Sequence, residues 1–283
     1  MRFSRGCKAR TGRFLIPLEY FKKTMSAWIG LFFAANRRLS ALLEARLPDS
    51  FKRHPHTIYK YEVAALLNHR VGQVVIDVGA GKECPFLPYV SEPSMQLIIG
   101  LDYSEDQLSR NLDLDRKIVA NAAAHGFPLR DSSADLVVSR SVVEHISDNR
   151  VFIENCARVL RPGGAMLHVF PGRFAPFALL NRLMPNWLAR CVSSYLLSPE
   201  WVEEGNYGFP VFYDRCYFSA VQNLLDQSGF KNAKYTFSFY QSMYFEFFFP
   251  LFCMVLAYDL IAWRLGIRNL ASTIIVMAER PLE

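Results

Sequence analysis

The sequence has no C-x-x-C pair, no apolar run long enough to cross a bilayer, and no excess of positive charge spread along its length. Its six cysteines (Cys7, Cys84, Cys156, Cys191, Cys216 and Cys253) are scattered. That spacing argues against a zinc site or a disulfide framework and points to reduced thiols in a cytosol-like, cytoplasmic compartment. The longest apolar stretches are Met25 to Ala35, with 11 residues, and Phe247 to Tyr258, with 12. Both fall short of the roughly 20 residues that a spanning helix needs. Net charge is +6, yet residues 1–23 alone hold seven Lys and Arg against the single acid Glu19. The remainder balances, so the charge belongs to an arm. A nucleic-acid partner is not expected, because phosphate binding needs clustered cations over a surface.

What the chain does have is apolar material: 51% hydrophobic residues, with 23 phenylalanines among 283 residues. In the arm, Leu18, Phe21, Met25, Trp28, Phe32, Leu39, Leu42 and Leu43 keep helical spacing until Pro48. A basic, aromatic-bearing amphipathic helix either packs on its domain or lies in a membrane interface, and both readings stay open. Residues 1–17 carry Arg2, Arg5, Lys8, Arg10 and Arg13 and no acid, as a flexible basic tail or a targeting segment would. The chain divides into this tail and helix, residues 1–56, and one domain, residues 57–283.

The domain is organised around Val74 to Glu83, V-V-I-D-V-G-A-G-K-E. An apolar run ending in glycines describes a buried parallel strand that turns tightly at its carboxyl end. In open α/β sheets that turn is where a nucleotide-like ligand sits. A helix is expected before it, from Thr57 as N-cap to Arg70. A second strand, Leu97 to Leu101, ends in Asp102, 21 residues beyond Gly81. A carboxylate there is placed to accept the hydroxyl hydrogens of a ribose. Ser104-x-x-Gln107 supplies a capping box for the next helix. Further strands are expected at Lys117 to Ala120, Leu136 to Ser139 and Ala165 to Phe170, with a helix from Asp148 to Leu160 stopped by Arg161-Pro-Gly-Gly. Strands alternating with helices make a doubly wound parallel sheet, an α/β fold.

The set V-I-D-V-G-A-G, G-L-D-Y-S, A-D-L-V-V-S-R-S-V-V-E-H-I and R-V-L-R-P-G-G, in order across residues 72–172, resembles a class I S-adenosylmethionine-dependent methyltransferase of the small-molecule type. The resemblance implies seven strands in the order 3-2-1-4-5-7-6 with strand 7 antiparallel. A helix opened by Ser219-x-x-Gln222 and strands at Tyr235 to Tyr240 and Ser272 to Ala278 would complete it. S-adenosylmethionine is the implied cofactor. Asp77, Gly79, Ala80 and Gly81 match the loop that backs its methionine and ribose portions. Asp102 matches the ribose-binding acid, with Tyr103 beside the adenine. Asn121 and Ala122 stand where many relatives have Asp-Ala, and the asparagine carbonyl can still accept from the adenine amine. Ser139 and Arg140 are expected on the methyl-transfer side. Lys82 departs from the small residue frequent at its position.

For chemistry, the cofactor is an activated donor, so the protein chiefly aligns the acceptor and excludes water. A base helps only for a hydroxyl or acidic carbon, and His145 is the candidate catalytic residue. Its bland alternative is that Glu144-His145 simply opens the turn after strand 4. Some relatives carry E-x-x-E-H as a metal site, but Ser141 occupies the first position here, so no metal is expected. His54, His56, His69, His125 and His168 read as surface or core residues. Two insertions, about residues 173–210 and 242–269, should define the acceptor, with Tyr207, Tyr213 and Arg215 able to line a pocket. The second is hydrophobic and interrupted by Pro250. It reads as core packing or a homodimer seam, or as a surface that dips into a membrane together with residues 18–47. The resulting expectation is an enzyme that methylates a small-molecule or lipid-linked acceptor, with peripheral membrane contact through 18–47 and 242–265. The alternatives are a soluble glycan or metabolite as acceptor, or a non-catalytic cofactor-binding subunit.

Overall fold

The computed structural model describes residues 18–122, 126–183 and 210–283; His125, Cys191 and Tyr207 lie outside them, as do residues 1–17 and most of the first insertion. The elements in chain order are α1 (Leu18–Glu44), α2 (Pro55–Asn68), β1 (Val74–Val78), β2 (Leu97–Asp102), α3 (Glu105–Arg110), β3 (Arg116–Val119), β4 (Ala134–Arg140), α4 (Asn149–Val159), β5 (Leu160–Pro171), α5 (Pro176–Leu183), α6 (Phe218–Gln227), β6 (Lys231–Ser238), α7 (Phe249–Arg264) and β7 (Thr273–Glu279). Seven strands form one sheet in the order β3-β2-β1-β4-β5-β7-β6, and β7 runs antiparallel to both of its neighbours. This is the expected doubly wound architecture.

The sheet is buried on both faces, and the alternation of its side chains shows why. Ile76 and Val78 of β1 and Val137 of β4 enter the larger core with α4, α6 and α7. Val75, Leu136 and Val138 point to the other face, against Tyr59, Val63 and Leu67 of α2 and Phe86. Central strands covered on both sides read as continuous apolar runs, the pattern seen at V-V-I and L-V-V.

Several element ends differ from expectation for identifiable reasons. Helix α2 starts at Pro55 with His54 at the N-cap, so Thr57 is already inside the first turn. Proline at the first position needs no N–H partner and is preset for the helix. Pro250 likewise opens α7 and does not interrupt it. The N-cap of α6 is Tyr217, and the N–H of Ser219 is accepted by Asn269 Oδ1 at 2.9 Å, so no capping box forms there. Strand β6 begins at Lys231 and ends at Ser238, earlier than its alternating pattern implied.

Helix α1 packs on the domain, and polar side chains help to hold it. Asn36 Oδ1 accepts the N–H of Phe249 at 2.8 Å, satisfying a donor at the start of α7. One turn on, Ser40 Oγ donates to the carbonyl of Glu246 at 3.2 Å, and another turn on Glu44 accepts from Tyr240 at 2.5 Å. Spaced four apart, these three lie along one face of the helix. Phe33 and Leu43 pack beside them, with the Phe33 ring 6.3 Å from that of Phe247.

The β5 end meets the start of β7 at Gly172, whose N–H donates to the carbonyl of Ser272 at 2.8 Å. A Cβ on Gly172 would fall 2.0 Å from the backbone oxygen of Ala271. Backbone cannot yield as a flexible side chain can, so Gly172→Ala is expected to lower unfolding stability by about 3 kcal/mol or more. Urea unfolding followed by circular dichroism checks this, and a change under about 0.5 kcal/mol would contradict it.

Candidate active site

Strand order reverses between β1 and β4, and the carboxyl ends of these neighbours open the crevice in which ligands of such sheets lie. The loop that leaves β1 is bent by two glycines in the left-handed region, Gly79 at φ +70° and Gly81 at φ +53°. Gly79 is further required by its neighbour, since a Cβ there would sit 2.2 Å from Cγ2 of Val142 in the loop after β4. At Gly81 a Cβ would meet only Gln107 Oε1, at 3.4 Å, so that side of the loop is uncrowded.

Asp102, at the end of β2, clasps this loop. Its Oδ2 accepts the N–H of Gly81 at 3.0 Å, and its Oδ1 accepts the N–H of Ser104 at 2.9 Å. Each carboxylate oxygen has a second lone pair, so the group can hold the loop and still accept from a ligand hydroxyl. It thus has a structural duty that the spacing argument did not assign. Tyr103 beside it is half exposed. The N–H of Ala120 donates to the Asp102 carbonyl at 2.8 Å, which brings Asn121 and Ala122 to the same rim. Asn121 is exposed, while Ala122 is half-buried and packs on the core.

Sequence reasoning missed the residue that holds the loop from beneath. Asn111 is fully buried, and its Nδ2 donates to the carbonyls of Ala80 and Gly81, each at 3.2 Å. Asp113 adds a bond from the N–H of Cys84 to its Oδ2 at 2.8 Å, and Asp115 Oδ2 accepts from Ile98 at 2.8 Å. The alternating N-L-D-L-D at 111–115 was the available signal: polar residues just past a helix end are free to serve backbone groups elsewhere.

Asp77 lies beneath the loop, buried, with the Cys84 thiol donating to Oδ2 at 3.5 Å. Burial pushes its carboxyl up to about 7, against the downward pull of the Cys84 bond and of Arg140. Arg140 is half-exposed and lies 3.9 Å from Glu83. Ser139 corrects an expectation: it is fully buried and its Oγ shares a 2.8 Å hydrogen bond with His168 Nδ1, so its side chain is turned into the core. Burial alone drives His168 down to about 3, so its imidazole is neutral there.

After β4, residues 143–145 form a single turn. His145 Nδ1 lies 3.0 Å from the carbonyl of Pro210. A carbonyl can only accept, so Nδ1 carries the proton and Nε2 carries the lone pair that a general base needs. Burial moves the His145 pKa down and the Pro210 bond raises it. Glu144 is buried, with Oε2 lacking a partner among the described residues, and burial pushes its carboxyl up to about 8. Its carbonyl accepts the N–H groups of Phe212 and Tyr213, at 2.8 and 3.0 Å. Tyr213 is buried, and Arg215 pairs with Asp148 at 3.1 Å and Asp214 at 2.8 Å, so both pin the end of the first insertion in place. Among the described residues no group of three or more His, Cys, Asp or Glu could hold a metal.

The family model described as Methyltransferase domain matches residues 76–168, which run from β1 through β5. A probable S-adenosylmethionine-dependent methyltransferase from Mycolicibacterium smegmatis is 34% identical over 44% of this chain and 48% of its own length. A ubiquinone biosynthesis O-methyltransferase from Rhizobium johnstonii is 27% identical over 58% of this chain and 66% of its own length. The chain therefore spans only about half to two thirds of these relatives. Among solved structures, a possible exported protein from Bordetella parapertussis shares the fold, with a TM-score of 0.50, 16% identity and coverage of 83% of this chain and 70% of that one. Residues 76–168 thus match a methyltransferase domain, and the motifs and sheet order around them are like those of the class I S-adenosylmethionine-dependent fold.

The residues present fit that cofactor. The uncrowded side of Gly81 admits a ligand close to the backbone, Asp102 keeps acceptor capacity for a ribose, and Asp77 is a buried carboxyl, pushed up to about 7 by burial, that a nearby cation would draw into its ionised form. A cationic ammonium brought near Asp77 would favour its ionised form, so binding should release a proton where the free carboxyl is half protonated. With a free value of about 7, affinity for S-adenosylhomocysteine should weaken about ten-fold from pH 8 to pH 6. Calorimetry in buffers of differing ionisation enthalpy measures the proton directly. Asp77→Asn should abolish the dependence, and a pH-independent wild type would contradict the assignment.

Proposed function

We propose that the protein, built around a class I S-adenosylmethionine-dependent methyltransferase domain, transfers a methyl group to a small-molecule or lipid-linked acceptor that it meets at a membrane surface on the cytoplasmic side. The observation that carries the cofactor half is Asp102, bonded to the Gly81 N–H at the reversal point of the sheet. S-adenosylmethionine supplies the methyl as an activated sulfonium group. The chain's own residues then have three tasks: to hold the cofactor, to align the acceptor and to take a proton from it.

Asp102 accepts from the ribose, Tyr103 and Asn121 border the adenine, and Asn111 with Asp113 keeps the loop in the shape that permits both. The turn at 143–145 faces the acceptor. For a hydroxyl acceptor, Nε2 of His145 would take the hydroxyl proton as the oxygen bonds the methyl and the sulfonium–methyl bond breaks to leave the neutral thioether, with Nδ1–H anchored on Pro210. A relative named for O-methylation in ubiquinone biosynthesis supports oxygen as the methylated atom.

Two measurements test the reading. Calorimetric titration should give micromolar binding of S-adenosylhomocysteine, weakened ten-fold or more by Asp102→Ala (about 1.4 kcal/mol, the scale of a lost charge-assisted hydrogen bond). No heat from well-folded protein would leave a non-catalytic subunit. His145→Gln should keep that affinity while methyl transfer to phenolic acceptors, soluble and lipid-tailed, falls about 100-fold. Equal turnover in this variant would remove His145 from the chemistry.

A further inference from the structure

Helix α1 is amphipathic in the reverse of the usual sense. The face it turns to the domain is held by Asn36, Ser40 and Glu44 through the bonds to Phe249, Glu246 and Tyr240. The face it turns to solvent is apolar. Trp28 is 69% exposed, Leu31 64%, Phe32 51%, Leu39 48% and Leu42 56%. Positions 28, 32, 35, 39 and 42 advance by alternating steps of four and three, which keeps them in one stripe along the helix. The stripe continues to the N-cap of α7, where the exposed ring of Phe248 lies 6.3 Å from that of Phe32. A contiguous exposed apolar patch of this kind marks a surface made for contact.

The charge around the stripe selects the occupant. Between Glu19 and Glu44 there is no acidic residue, while Lys22, Lys23, Arg37 and Arg38 lie in the same helix. Arg37, Arg38 and Arg46 are exposed beside the stripe. Glu44, the acid at its end, is engaged by Tyr240. The nearest further acid, Glu246, is already taken up by Arg37 and Glu44 of its own chain, so a second copy docking through the same stripe would set Arg38 and Arg46 against their counterparts. Residues 1–17, with five cations and no acid, suffer the same repulsion as a cover for it. An anionic lipid surface satisfies both requirements at once: acyl chains for the rings and Leu side chains, headgroup phosphates for the arginines.

We infer that the outer face of α1, with Phe248, is the membrane-contact surface of this protein, selective for anionic bilayers. The inference deepens the functional proposal and rests on it only for the statement that the acceptor is met at a membrane. The polar inner bonds matter here: they anchor α1 to the domain, so the helix lies on the membrane as part of a rigid body and the second insertion is held beside the lipid. No helix among the described residues is long and apolar enough to cross a membrane, so the contact is one-sided.

The test is co-sedimentation of the full chain with vesicles of phosphatidylcholine alone and of equimolar phosphatidylcholine and phosphatidylglycerol. Wild type should bind the mixed vesicles and bind the neutral ones at least about ten-fold more weakly. Phe32→Ser with Leu39→Ser should reduce binding to the mixed vesicles about ten-fold or more. Arg37→Ser with Arg38→Ser should remove most of the preference for anionic lipid. These side chains are exposed, and S-adenosylhomocysteine affinity measured on the same samples should stay at the wild-type value. Absence of wild-type binding, or binding indifferent to both pairs, would overturn the inference. So would a solution dimer that Phe32→Ser with Leu39→Ser dissociates, since a second copy would then cover the stripe. Failure of cofactor binding with vesicle binding intact would strike the methyltransferase proposal alone.

Discussion

The cleft depends on one carboxylate. Asp102 accepts from Gly81 on one oxygen and from Ser104 on the other, so the loops after β1 and β2 are joined through a single side chain. Backbone N–H groups at the ends of parallel strands have no ladder partners, and a charged acceptor that serves two of them is stronger than a neutral one would be. Asn111 closes the arrangement from below through the carbonyls of Ala80 and Gly81. The glycine loop is therefore held through donors and acceptors on both sides. Its left-handed φ values persist because its surroundings determine them.

Electrostatics in and beside the cleft follow from burial more than from ion pairing. Asp77 and Glu144 are both raised chiefly by desolvation, to about 7 and about 8, and each lies just beyond the carboxyl end of a central strand or within it. His168 is pushed the other way, to about 3, inside the core behind β4. Burial thus holds these groups towards their uncharged forms, and a cation beside Asp77 would draw that carboxyl into its ionised form. The ion pairs around it, such as Arg215 with Asp148 and Asp214, are partly exposed and serve to place the chain entering α6.

Helix α1 shows how a local pattern acquires its meaning from what it docks on. Its apolar spacing was legible, and such spacing ordinarily means burial against a core. Here the polar residues found specific partners on the second insertion, including the unsatisfied N–H at the start of α7, and those partners fixed the rotation of the helix. Once that rotation is set, Trp28 and Phe32 face outward regardless of their hydrophobicity.

The sequence by itself determined the architecture and the cofactor loop. Buried parallel strands need continuous apolar runs, and tight turns at positive φ need glycine, so V-V-I-D-V-G-A-G and the acid after β2 could be located from periodicity and spacing. Those are constraints between near neighbours in the chain. Only the tertiary structure decided which polar groups meet across long separations. It turned Ser139 into the core onto His168, 29 residues away, set Asn111 under Ala80 at a separation of 31, and gave the Ser219 N–H to Asn269 instead of a local cap. It also tied α1 to Phe249 across 213 residues and so chose which face of the helix meets solvent. The physical reason is common to all of these. A hydrogen bond is directional and short, so a polar side chain's role depends on what lies within about 3 Å of it, and only the folded chain sets that.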